Sequence, residues 1–166
     1  MKWVIASVAA VVVAFGAIVY LQSNHVKITY VNGLPPYTAL PGMLYVVEKD
    51  CYVFKLKDAN SDWPYVGSHE VVPALPETVS AKEVGADLPG VRILDVIHIG
   101  DHFRIASVRR DESKKGTKIT FEVLLDDDTS RKYGRLDTYW IMDHSPEASG
   151  GAPTIRTEYA VPLRKT

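Results

Sequence analysis

Cysteine is almost absent: Cys51 is the single one in 166 residues. That excludes any disulfide within the chain, so packing must hold the fold together. Net charge is nearly absent as well. Nineteen Lys and Arg face twenty Asp and Glu, leaving no global field that would hold nucleic acid or an anionic surface. No repeat of fixed period occurs, and the one biased tract is a short Ser-Gly-Ala stretch near the C-terminus. Compact catalytic signatures are missing too. The chain contains no Gly-x-Ser-x-Gly elbow, no P-loop and no His-Glu-x-x-His, so the common local routes to a nucleophile, a phosphate cradle or a zinc ion are closed. The expectation is a chain that is not an enzyme and carries no cofactor.

What is present comes first in the chain. Residues 3–21, WVIASVAAVVVAFGAIVYL, carry no charge. As a helix they would span about 28 Å, close to a hydrocarbon core of about 30 Å. Trp3 and Tyr20 sit where the two interfaces would lie. A cleaved signal peptide competes, because Lys2 is a minimal positive start and residues 14–17 resemble a cleavage site. Cleavage would leave Ile18, Val19 and Leu21 as an apolar start, so an uncleaved anchor is favoured. A short N-terminal flank then leaves the amino end inside. The rest is expected in the periplasm or outside the cell, tethered to the cytoplasmic membrane, or secreted if the run is cleaved.

The remaining chain reads as short strands. Residues 26–31, 43–47 and 51–57 are rich in β-branched and aromatic residues. Glu48, Lys49 and Asp50 have the length of a hairpin connection. In the strand after them, Tyr52, Phe54 and Leu56 form the expected core face, leaving Cys51 on the more polar side. Ser80 and Glu83 have capping-box spacing for a brief helix closed by Gly85 and Pro89. Residues 91–108 suggest a hairpin around Gly100, Asp101 and His102, with Ile99 opposite Phe103 and Ile97 opposite Ile105. Residues 109–116 read as a charged connection. Strict alternation at 117–125 assigns Ile119, Phe121, Val123 and Leu125 to the core, and Lys118, Thr120 and Glu122 to the other face.

Three segments follow: an anchor and collar at 1–25, a β domain at 26–144, and a flexible linker with a strand-like tail at 145–166. The fold class is all-β, a small antiparallel barrel or sandwich after one transmembrane helix. In strand pattern, residues 91–142 resemble bacterial SH3-like barrels.

The chemistry-bearing residues favour structural roles. In the hairpin at 91–108, His98 would face solvent opposite Arg104 and His102 would lie in the loop rather than share a helix face with it, so they do not make a metal pair. Asp126, Asp127 and Asp128 lack the staggered ligands of a calcium loop and read as a turn screened by Arg131 and Lys132. Cys51 sits beside Asp50, which disfavours a thiolate. Residues 73–76, Pro-Ala-Leu-Pro, match a polyproline spacing but read as a framing loop. Binding is expected through Trp63, Tyr65 and Tyr37, large rings in or near loops. Ile155, Tyr159 and Val161 form a strand to be added to this sheet or a partner's edge. These features point to a membrane-tethered, non-catalytic binding or scaffold domain with a protein partner in the envelope. The alternatives are a small envelope hydrolase using Asp101 or Asp137 with His98, and a phage- or plasmid-encoded protein that blocks an envelope process.

Overall fold

The β-branched and aromatic runs do become strands. A computed structural model describes residues 26–57, 63–126 and 132–163. The apolar run at 3–21 and its collar, and Asp127, Asp128 and Arg131 of the acidic turn, lie outside the described residues. Twelve strands occur among those described: β1 (Lys27–Tyr30), β2 (Leu44–Val47), β3 (Cys51–Leu56), β4 (Tyr65–Gly67), β5 (Asp87–Leu88), β6 (Val91–Ile97), β7 (His102–Ser113), β8 (Gly116–Leu125), β9 (Leu136–Asp137), β10 (Met142–Asp143), β11 (Thr154–Ile155) and β12 (Ala160–Pro162). The fold is all-β, with only 3-10 turns as helix apart from a helical pair at Lys132 and Tyr133. Among the described residues no helix is long and apolar enough to cross a membrane.

The described chain forms two units. The smaller takes residues 26–29 and Arg110–Lys118. Here the expected charged connection is instead hairpin arm, with a turn at Lys114 and Lys115. The Ser113 hydroxyl accepts from the Lys115 amide and donates to the Gly116 carbonyl, and Gly116 takes φ +126°, which a side chain would resist. Lys27 pairs with Glu112 at 3.8 Å. Val26 and Ile28 stay 46% and 51% exposed.

The larger unit holds the rest. The strand order among described residues is β12-β2-β7-β8-β9-β4-β3-β6-β5, and β10 and β11 form a separate two-stranded ribbon. In this unit β3 is buried on both faces. Cys51 and Val53 join a core with Val47, Ile97, Phe103, Phe121, Val123 and Tyr159, whereas Tyr52 and Phe54 pack with Tyr65, Leu75, Val91 and Ile93. Burying each large side chain is worth roughly 1.5–3 kcal/mol. Cys51 is therefore not on a polar side. Burial pushes its thiol up to about 12.

Two expected hairpins are replaced by crossings. β2 pairs with β7 and β12, whereas β3 pairs with β4 and β6, so residues 48–50 carry the chain from one part of the sheet to another. The Glu48 amide donates to the Tyr159 carbonyl at 2.8 Å. Likewise β6 and β7 are not neighbours. Ile97 lies opposite Cys51, Phe103 lies opposite Tyr45 with the rings stacked at 5.3 Å, and Ile99 is 63% exposed. Asp101 closes this second corner by accepting from the His98 amide at 2.7 Å. The corners brace each other, since the Asp50 carboxylate accepts from the Ile99 amide at 2.8 Å.

Residues 145–149 form a 3-10 turn ended by Gly150 at φ +79°, where the sequence suggests a flexible linker. Beyond it β11 pairs with β10, setting Ile155 opposite Met142, and β12 sets Ala160 opposite Val47. The Ser80 hydroxyl accepts from the Lys82 amide at 3.3 Å to cap the brief turn at Ala81–Glu83.

Candidate functional site

The strictly alternating strand β8 presents a second face that is equally dry. Thr120 and Glu122 are fully buried there. On β7 the core positions change parity between Ile105 and Val108, which releases Ser107 and Arg109 to meet Glu122. Arg109 Nη2 donates to Asp137 Oδ2 at 2.8 Å, and Nη1 reaches Glu122 Oε1 at 3.5 Å. Glu122 also accepts from Ser107, from Arg135 at 2.9 Å and from Tyr30 at 3.2 Å. Asp137 accepts from the Thr120 hydroxyl at 2.6 Å and the Tyr139 amide at 2.8 Å. The Arg109, Glu122 and Asp137 side chains are 3%, 0% and 0% exposed. Two guanidiniums balance two carboxylates, and all four carboxylate oxygens are engaged, as buried charge requires. No carboxylate oxygen is left for a substrate. The network works as a scaffold.

What it scaffolds is the 3-10 turn Tyr139–Ile141. The Asp137 carboxylate holds the Tyr139 amide at the start of this turn. The Tyr139 ring then packs edge-on to Trp140 at 5.7 Å and against His144 at 4.8 Å. These rings line a groove of about 360 Å³ with Glu70, Val71, Met142 and Arg156. A second depression, about 430 Å³, shares Arg156 and is lined also by Asp143, Thr154 and Glu158.

Arg156 is positioned by its backbone and its own Nε. Its amide donates to the Ile141 carbonyl at 3.0 Å, and its Nε donates to the Met142 carbonyl at 3.1 Å. The acids nearby are engaged. Glu70 pairs with Lys49, and that contact first, then the lysine's charge, lowers the glutamate's pKa. Asp143 accepts from the Ser145 amide at 2.9 Å and is likewise held below the usual range, chiefly by Ser145. Glu147 sits 3.0 Å from His144 Nδ1. Two polar atoms in the groove wall, Trp140 Nε1 and His144 Nε2, are buried with no hydrogen-bond partner among the described residues.

The structure gives each residue expected to bind its own surroundings. Tyr65 is buried near Phe54 at 5.9 Å, Tyr37 packs against the other core, and the Trp63 ring lies 5.1 Å from the Arg109 guanidinium. Ile155 and Tyr159 are buried in this chain's own core, with the Tyr159 hydroxyl 2.9 Å from Ser68 Oγ, and Val161 lies opposite Val46. The His98 side chain is half exposed beside Asp50 at 3.7 Å, Asp101 accepts from the His98 amide, and Asp137 is bonded to Arg109. Among the described residues no three His, Cys, Asp or Glu side chains gather as a metal ion would need. Tyr139, Trp140, His144 and Arg156 were not marked by any motif; the signal available was an aromatic pair beside a short polar turn. Comparison with protein families, curated proteins and solved structures finds no match to this chain.

Proposed function

We propose that the chain is a membrane-tethered, non-catalytic binding domain whose binding face is the Trp140–His144–Arg156 groove. One observation carries this reading: a groove of small-ligand size lined by aromatic rings and a preset guanidinium, built on a saturated ionic scaffold. Concave sites with few, well-placed polar groups are where small ligands bind. Residues 3–21 supply the tether, and the exposed Val26, just before β1, and Ile28 on it support a position at the bilayer surface. The exported, periplasmic or extracellular side follows from the same run. The SH3-like reading of residues 91–142 stands on strand pattern alone, since β6 and β7 are not neighbours.

The test is purification of the full chain from membranes in mild detergent beside its Arg156→Glu variant, with mass spectrometry of whatever small molecules or proteins remain bound. A species retained by the parent and lost from a folded variant is expected. Equal retention by both would overturn the assignment of the groove. A second reading, an envelope hydrolase, is favoured by the His144–Glu147 pair, in which a carboxylate orients an imidazole as a general base requires. Ester hydrolysis lost on His144→Ala would select it.

A further inference from the structure

The hairpin arm of the smaller unit concentrates a charge that the chain as a whole lacks. Among its described residues Lys27, Arg110, Lys114, Lys115 and Lys118 outnumber Asp111 and Glu112, five cations to two acids and a formal +3. The whole chain sums to −1. Glu112 lies 3.8 Å from Lys27 and 2.7 Å from Arg110, so its charge is answered inside the arm. Lys114 and Lys115 make the turn and are exposed, and neither ammonium meets an acid among the described residues.

Strand direction puts that turn where the chain enters the fold. Lys27 lies against Glu112, and four residues on the Val31 amide donates to the Val108 carbonyl at 3.0 Å. β1 therefore runs away from the arm's turn, and Val26, just before it, sits at the end that carries Lys114 and Lys115. The apolar run ends at Leu21, and five residues of extended chain reach at most about 18 Å. Once residues 3–21 cross a bilayer, which this inference takes from the proposed function, both lysines are kept within roughly two Debye lengths of its headgroups. A lysine at an anionic membrane surface favours the bound state about fivefold. Val26 is 46% exposed beside them, and alternation turns Ile28 away from Lys27, so apolar side chains accompany the charge. The bilayer is the one acidic surface that the chain itself brings to this end of the arm. We propose that the arm's tip docks on the anionic headgroups of that bilayer, with the Lys114 and Lys115 ammoniums on lipid phosphates and Val26 at the interface beside them. The arm then holds the chain to the surface together with the anchor.

The experiment reconstitutes the full chain into vesicles of phosphatidylcholine alone and of equal parts phosphatidylcholine and phosphatidylglycerol. Thr117→Cys, exposed next to the turn glycine, is labelled in detergent with a nitrobenzoxadiazole dye, and the parent with its buried Cys51 is the blank. Nitroxide carried on lipid headgroups quenches the dye where the arm touches them. The docked-to-free ratio should rise about tenfold or more with phosphatidylglycerol and fall back at high salt. It should also fall back when Lys114→Gln and Lys115→Gln are combined, exposed changes that leave far-UV circular dichroism as it was. Equal quenching in the two lipids, or full quenching kept by the double variant, overturns the docking. Alkaline carbonate extraction of the same vesicles separates this inference from the tether it rests on. A chain that stays with the lipid and shows no quenching keeps its anchor and loses the docking. A chain washed off the vesicles loses the anchor, and the docking falls with it.

Discussion

Replacing Arg109 by Met should cost more stability than almost any other single change in the larger unit. The guanidinium is the only cation in contact with Asp137 among the described residues, at 2.8 Å, and both groups are shut away from water. Glu122 would keep Arg135, Ser107 and Tyr30, so the loss falls on Asp137. Its carboxylate would retain the Thr120 hydroxyl and the Tyr139 amide but would be a buried charge without a counter-charge. Breaking such a pair from one side costs about 3–5 kcal/mol. That is a large part of the roughly 5–15 kcal/mol holding a domain together. At about 2–4 °C per kcal/mol for a chain of this size, Tm should fall by roughly 6–20 °C. Far-UV circular dichroism of the full chain in one detergent, with heat and with urea, reads both quantities, and the urea m-value should not change. Adding Asp137→Asn to Arg109→Met removes the stranded charge while keeping an acceptor for Thr120 and Tyr139. The double variant should therefore be more stable than the summed single losses imply, by about 0.5–3 kcal/mol. Met preserves much of the packing against Trp63, and Trp63→Leu alone should cost less, since a cation over a ring is worth about 0.5–2 kcal/mol. An Arg109→Met variant within about 1 kcal/mol of the parent, or strict additivity with Asp137→Asn, would refute an ionic scaffold.

Three further outcomes follow from the same packing. Because burial raises the Cys51 pKa from 9.0 to about 12, its native thiol should resist alkylation at pH 8 and react only after denaturant is added. Its raised folded pKa adds stability that is complete below pH 9 and is lost as pH rises toward 12, and Cys51→Ala should flatten that part of the pH–stability curve. Gly67→Ala places a methyl 3.2 Å from Phe54 Cε1 and 3.6 Å from Trp140 Cβ, so urea unfolding should show a loss of about 1–3 kcal/mol from overpacking. Truncation after His144 removes the buried Ile155, Tyr159 and Ala160, and should leave the chain without a cooperative thermal transition rather than with a trimmed tail.

Strand existence was legible because it is a local property. Residues 27–30, 44–47 and 51–56 carry their β-branched and aromatic content in themselves, and Ser80 announces its own cap. Strand pairing was not, because three residues such as Glu48, Lys49 and Asp50 suit a hairpin and a corner equally. What decides between them is the Tyr159 carbonyl, over a hundred residues away in the chain, and the Ile99 amide. Burial of a polar face was hidden for the opposite reason. Alternation in β8 reports that Thr120 and Glu122 differ from Phe121 and Val123, and says nothing of whether their side faces water or a guanidinium. The groove escaped because its parts, Trp140, His144 and Arg156, are joined through backbone contacts of β10 that leave no periodic trace.

The ionic network and the groove are connected by the short segment between them. β9 has two residues, and its register is Glu122 opposite Asp137 and Val123 opposite Leu136. The Asp137 amide donates to the Pro64 carbonyl at 2.8 Å, and the Thr138 amide and hydroxyl donate to the Phe121 carbonyl at 3.1 and 3.0 Å. The Asp137 side chain adds to these restraints, because one of its oxygens receives both Thr120 and the Tyr139 amide while the other receives Arg109. The carboxylate thus ties a strand of the sheet to the first residue of the turn that carries Trp140. Asp137 is a positioning residue for the groove without lining it, which is why so much buried charge stands behind a site it never touches.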